Sequence, residues 1–409
     1  MAASIIIRVP AALARLSARW VALIAAVGAV LFVVLRLLAV GGGPGMFVLA
    51  GQPWTDPATV PGGIPVLAGT GFDGQFFYRL AVDPATVGMG RAHGIMFDYG
   101  VRGGRIGYPL LAWLLSFGGR PSLVPLAMIA VNVLAVGALA YAAALLALDH
   151  GRAAAWGLAI AGFWGFGIVL GRDLSELVAA AAVFGGVLLV GRARYAWAGV
   201  ALVLAVLTRE QAVLAVAALA IGVLLHQRRS ATWRAALAPA ALVAVPAAVA
   251  FLGWQFAVAH ITGELPATSS SETNSTWPFR DVWPAFRRWL DDAGSGLASN
   301  HFVSIGASLA LLCFVALVFL IVWAVTSDGR AVAWATRPWE LLLGVGSLGV
   351  LVCSTDAVLT VPADFRQSYE IAGSAWLVLW GSSGRRAMWA LAVVLPVTVL
   401  ALGFRCLNL

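Results

Sequence analysis

The chain has 409 residues, of which 61% are hydrophobic and only 11% charged. Ordinary soluble domains carry roughly 25% charged residues, so a soluble globular protein is excluded, and apolar segments of near-membrane length recur from end to end. The net charge of +8 would point to nucleic acid in a soluble chain. Here all 26 basic residues are arginines, better explained as setters of membrane topology, and no nucleic-acid partner is expected.

The first arginines, Arg8, Arg15 and Arg19, precede an apolar run over 20–40. That run is long for a signal-peptide core and no A-x-A cleavage site follows, so it reads as a retained first span with 1–19 in the cytoplasm. Residues 41–121 form a long first outer loop, rich in Gly and Pro. Within it, 108–117 is apolar but too short to cross, and reads as an interfacial or re-entrant helix. Residues 122–260 hold spans 2–7, at about 123–148, 153–170, 176–191, 196–207, 211–225 and 235–259. A second polar outer loop covers 261–300. Residues 301–409 hold spans 8–11, at about 302–325, 339–355, 371–380 and 388–404. The expected fold is therefore all-α: one polytopic membrane domain of about eleven transmembrane helices, with short interfacial helices in the first loop.

With the N-terminus inside, every inner connection carries arginine, among them Arg152, Arg192, Arg194, Arg228, Arg229, Arg330, Arg337, Arg385 and Arg386. Of the 18 acids only Asp149, Asp328 and Glu340 fall on that side. No Asp, Glu or Arg lies near the middle of a span, where ion-coupled transporters keep theirs. The working face is thus expected to be the outer one.

On that face, Gly71-Phe72-Asp73-Gly74-Gln75-Phe76-Phe77-Tyr78-Arg79-Leu80-Ala81 is the densest mix of acid, amide, base and aromatics. A carboxylate and an arginine six residues apart can hold a sugar hydroxyl and an anionic phosphate. Equally, Asp73 can cap a short helix. Three outer turns carry arginine beside acid: Arg172-Asp173, Arg209-Glu210 and Asp364-Phe365-Arg366. Each is either a local salt bridge, contributing roughly 0–1 kcal/mol, or a phosphate-binding turn in which the acid positions the guanidinium. Together with Arg79, Arg102 and Arg105 they favour a phosphate-bearing substrate. Asp173 and Glu176 share a helical face, where first-turn acids are favoured in any case. His93 and Asp98 match no compact metal-ligand spacing, and the three cysteines, Cys313, Cys353 and Cys406, are scattered, so no metal site is assigned.

Residues 72–81 resemble the W/Y-D-G-x-x-Y-x-x-I/L-A stretch in the first outer loop of C-type (GT-C) membrane glycosyltransferases, seen in bacterial relatives of the second mannosyltransferase of the GPI-anchor pathway. Arg172-Asp173-Leu174-Ser175-Glu176-Leu177 is similar to their S-E element, and Leu207-Thr208-Arg209-Glu210 to their T-R turn. The resemblance covers about residues 20–225, with Phe72 standing in place of Trp or Tyr. It implies an enzyme of the bacterial inner membrane, active on the periplasmic side in cell-surface glycopolymer formation. Such an enzyme moves a sugar (mannose, or another hexose or pentose) from a polyprenyl-phosphate donor to a glycan or glycolipid acceptor. On this reading Asp73 is the catalytic base, and Glu176, set deeper in the active-site wall, is the second catalytic residue. Gln75, Tyr78, Arg79, Arg102, Arg105, Arg172, Asp173, Arg209 and Glu210 would bind substrate. No cofactor is expected; a divalent metal is compatible, but no second acid stands directly beside Asp73. The alternatives are a lipid-linked glycan transporter and a non-catalytic assembly partner of the same fold.

Overall fold

The computed structural model of the chain describes residues 15–269, 276–299, 334–354 and 368–381. The spans expected over 302–325 and 388–404, and the turn at 364–366, lie outside the described residues. Among the described residues 68% are helical and 3% lie in strands, so the mostly helical class holds.

Helix α1 (Ala18–Val40) is an apolar run without proline or acid. Its 23 residues reach about 35 Å, enough for a hydrocarbon core of about 30 Å. Trp20, Leu23, Leu31 and Leu38 are exposed along it, a face suited to lipid. The first loop then folds back on itself. Strand β1 (Ala50–Gly51) pairs in parallel with β2 (Val66–Leu67), Ala50 opposite Val66. Three short helices follow: α2 (Gly74–Val82), α3 (Val101–Gly104) and α4 (Gly107–Leu115). Every residue of α2 is buried. Phe76 meets Phe97 edge-on and Phe77 meets Tyr108 edge-on, so these aromatics form the core of the loop instead of a surface for a lipid tail.

Helix α5 (Val124–Asp149) is the most buried of the long helices and packs against α1 and α4. The expected continuous span over 153–170 is instead broken. A 3₁₀ turn (Ala154–Gly157) is followed by α6 (Leu158–Ala161) and α7 (Gly165–Leu170). Glycines at 157, 162, 165 and 167 weaken a helix there. Gly157 also lets this segment press on the α5 backbone, since a Cβ at 157 would lie 2.4 Å from the Ala144 nitrogen. Hydropathy could not distinguish this buried, broken segment from a regular span.

The chain continues through α8 (Glu176–Gly191), α9 (Tyr195–Thr208), α10 (Ala212–Gln227) and α11 (Trp233–Thr262). Then come α12 (Val282–Ser299), α13 (Pro338–Val352) and α14 (Tyr369–Gly381). Packing runs α5 to α8, α8 to α9, α9 to α11, α11 to α10, α10 to α13 and α13 to α14. Among the described residues three helices are long and apolar enough to cross a membrane: α1, α5 and α11. The 16-residue α8 and α10 reach only about 24 Å each.

At one end of this bundle the arginines that sequence assigned to a common side are gathered. Arg337 donates to the Asp149 carbonyl at 2.8 Å, Arg152 donates twice to the Trp380 carbonyl, and Arg192 pairs with Asp149. His150 Nε2 stands 3.0 Å from Glu340 Oε2. Helix α13 therefore starts, and α14 ends, at this end. The start of α14 lies at the opposite end, with the first loop.

Candidate functional site

At that opposite end three segments converge: the loop stretch around Asp73, the turn from α7 to α8, and the turn from α9 to α10. Two glycines make the approach possible. A Cβ at Gly74 would lie 2.6 Å from the Arg172 carbonyl oxygen and 2.7 Å from that of Val48. A Cβ at Gly107 would lie 2.4 Å from the Thr208 hydroxyl. Neither position admits a side chain without moving backbone, so the Asp-Gly pair is a packing requirement as well as a motif.

Asp73 takes the cap position of α2, but its side chain makes no capping hydrogen bond. The carboxylate faces arginines instead. Arg102 Nη1 lies 2.7 Å and Arg105 Nη1 3.3 Å from Asp73 Oδ2. Arg102 also grips Asp98 through Nε and Nη2, at 2.7 and 2.8 Å. Arg105 grips Glu210 in the same forked way, Nη2 to Oε1 at 2.6 Å and Nε to Oε2 at 2.8 Å. The result is an alternating row, Asp98, Arg102, Asp73, Arg105, Glu210. Burial alone would raise Glu210, but the charges of Arg105 and then Arg209 outweigh it and hold the carboxyl at about 2. Burial likewise opposes the charge on Arg102, and Asp73 with Asp98 overcomes it, holding Arg102 above its usual range.

Beneath the row lies a second set of buried charges. Arg209 pairs with Glu176 at 3.4 Å, both almost fully buried. Tyr369 and Glu370, at the start of α14, are within electrostatic reach of Arg209. The Arg172 guanidinium lies 3.7 Å over the Phe72 ring. Asp173 is fully buried in a left-handed conformation, φ +47°, and neither carboxyl oxygen has a hydrogen-bond partner among the described residues. Burial pushes its carboxyl well above the usual range, against the charge of Arg36. The neighbours Arg209 and Glu210 thus reach different partners, and the turn is not a self-contained salt bridge.

The structure brings together Asp73, Arg102, Arg105, Glu210, Arg209, Glu176, Arg172 and Asp173. It turns three others into the loop itself. Arg79 is buried and donates to the carbonyls of Ile95, Thr86 and Gly88, with its guanidinium 4.0 Å over Phe97. Gln75 accepts from the Gly51 amide and the Thr55 hydroxyl and donates to the Thr70 carbonyl. The Tyr78 hydroxyl donates to the Pro61 carbonyl at 2.9 Å. All three are spent on satisfying the loop's own buried backbone, as such groups must be.

Sequence reasoning passed over Arg36, Asp98 as an arginine partner, and Tyr369 with Glu370. Arg36 had a visible signal, a lone charge in Leu31–Val40 of an apolar helix; it reaches Gly171, whose Cβ would lie 3.2 Å from Arg36 Nε. Asn132, the one amide in α5, donates to the Tyr108 hydroxyl and the Leu174 carbonyl and so ties α4 to the α8 turn. His93 lies beside Asp83 at 3.8 Å, and among the described residues no group of three His, Cys, Asp or Glu is placed to hold a metal ion. Comparison of the chain with protein-family models, with curated proteins and with solved structures finds no match.

Proposed function

We propose that this chain is a membrane glycosyltransferase of the GT-C type, with about eleven spans in a bacterial inner membrane and its site on the periplasmic face. It transfers a sugar from a polyprenyl-phosphate donor to a glycan or glycolipid acceptor. The observation that carries this reading is the Asp73 carboxylate held between Arg102 and Arg105 where three distant segments meet. A donor phosphate entering beside Asp73 competes for those two guanidinium groups and frees the carboxylate. Asp73 then takes the proton of the acceptor hydroxyl as its oxygen attacks the anomeric carbon. The bond from that carbon to the phosphate oxygen breaks, and polyprenyl phosphate leaves with its charge met by Arg102, Arg105 and Arg209.

A transport reading is favoured by one observation. Glu370 and Ser347 form a buried polar contact between α13 and α14, 3.1 Å apart, where a purely structural helix pair needs none. One experiment separates the two. Purified protein in vesicles is given a radiolabelled polyprenyl-phosphate sugar and an acceptor glycolipid, and both transfer and movement across the bilayer are followed. Transfer that falls by at least about 10²-fold in Asp73→Asn supports the enzyme. Movement across the bilayer without transfer refutes it. Full transfer by Asp73→Asn moves the base to Glu176 or Asp98.

A further inference from the structure

Helix α12 is built differently from every membrane-length helix among the described residues. Val282, Trp283, Phe286 and Leu290 fall on one stripe, Arg287 borders it one turn beyond Trp283, and Arg288 and Asp291 take the far arc. The stripe is covered along one edge only: Ala285 is buried beside it and Val282 and Phe286 are half-buried, while Trp283 is 56% and Leu290 48% exposed. The two residues leading into the helix are barer still, with Trp277 at 78% and Phe279 at 67%. The rings of Trp283 and Phe286 stack at 5.7 Å, and the Arg287 guanidinium sits 5.1 Å from the Trp283 ring. In sequence, Trp289 and Leu297 continue the same spacing.

Backbone contacts set where this helix lies. The Thr276 amide donates to the Cys353 carbonyl at 2.7 Å and the Phe279 amide to the Val352 carbonyl at 2.8 Å. These carbonyls close α13 at the end away from Arg337, which is the end of the bundle that holds Asp73 and Glu210. An apolar stripe rich in Trp and Phe, edged by arginine, is the composition of helices that lie in the plane of a membrane surface. Charge narrows the partner further. Between Arg280 and Asp292 three arginines and three aspartates cancel, so the segment has no pull toward an acidic protein, a nucleic acid or an anionic headgroup.

We propose that α12 is a surface anchor: it lies along the lipid at the site end of the bundle, with Trp283 and Leu290 dipped into the acyl boundary, held by apolar burial and not by charge. This does not depend on the enzymatic reading.

The test uses the full chain with Cys313, Cys353 and Cys406 changed to serine, reconstituted in phosphatidylcholine vesicles. Nitroxide labels are placed at Leu290→Cys and, separately, at Arg288→Cys, and at Ala85→Cys as a loop reference. Collision with oxygen, which concentrates in lipid, is compared with collision with a water-soluble nickel chelate. The label at 290 should favour oxygen and report a depth of about 5–10 Å below the headgroups, while 288 and 85 favour the chelate. Adding phosphatidylglycerol should leave the depth unchanged. Chelate access at both 288 and 290 would overturn the proposal, because the helix would then be solvated. Shielding of 290 from both reagents would also overturn it, in favour of a protein or a second copy covering the stripe. A depth seen only with phosphatidylglycerol would replace apolar burial by charge.

Discussion

Arg105 and Glu210, 105 residues apart, meet in a two-pronged ion pair at 2.6 and 2.8 Å. The pair fastens the first loop to the turn between α9 and α10 and turns Arg105 so that its remaining nitrogen reaches Asp73. Arg105→Ala leaves the half-buried Glu210 carboxylate without its main partner, and should destabilise by about 1–3 kcal/mol. Glu210→Ala costs a similar amount, and the double variant costs less than the sum. Thermal unfolding of the four proteins in one detergent measures the coupling. Strict additivity would mean that the pair does not fasten the loop.

Acid should loosen the same contact. The Glu210 carboxyl is held at about 2, against an ordinary value of 4.5. A carboxyl depressed on folding contributes stability above its unfolded value and loses it as pH falls toward the folded one. Stability should therefore decline between pH 4.5 and about 2, and Glu210→Gln should show a flatter profile across that window. Identical profiles would remove Glu210 as the source.

Asp173 should behave in the opposite sense. Its carboxyl is raised by burial, so ionisation opposes folding more as pH rises above the ordinary value of 3.8. Asp173→Asn removes that charge and keeps a residue tolerant of φ +47°. Its melting temperature relative to wild type should rise as pH goes from 4 to 8. Asp173→Ala also removes the charge, but it places a non-glycine residue without a local hydrogen-bonding side chain in the left-handed region, at a cost of about 1–2 kcal/mol. Asn falling below Ala would overturn this account.

Arg79 and Arg209 should separate on substitution by lysine. Arg79 serves three backbone carbonyls with a planar fork that an ammonium cannot copy. Arg79→Lys should expose the 83–100 segment to protease while the donor KM of the remaining activity stays near wild type. Arg209→Lys should raise the donor KM or lower turnover with protease resistance intact. The reverse pattern would exchange their roles.

Orientation can be read with a membrane-impermeant thiol reagent in a cysteine-free background. Ala85 lies in the first loop and Ser230 in the turn between α10 and α11, and both are exposed. In intact cells Ala85→Cys should label and Ser230→Cys should not. Labelling at 230 would put the Asp73 site on the cytoplasmic side.

What the sequence determined alone is whatever depends on local, additive physics. A run such as 20–40 is apolar residue by residue, so its helix is legible without a fold, and α1, α5 and α11 stand where hydropathy put them. The arginines of the short connections sort to one end because charge is costly in lipid whatever its neighbours. Partner choice is not local. Nothing near Arg209 or Glu210 says that one will take Glu176 and the other Arg105, because each pairing depends on chain arriving from far away. The same limit hid the duties of Arg79, Gln75 and Tyr78, whose partners are backbone carbonyls and amides that carry no residue-type signal. It also hid the break at 153–170, where packing against α5 rewards glycines that hydropathy counts as ordinary. The tertiary structure decided which polar groups of the first loop are consumed in building it, and which meet, through Asp73 and its two arginines, where three distant segments converge.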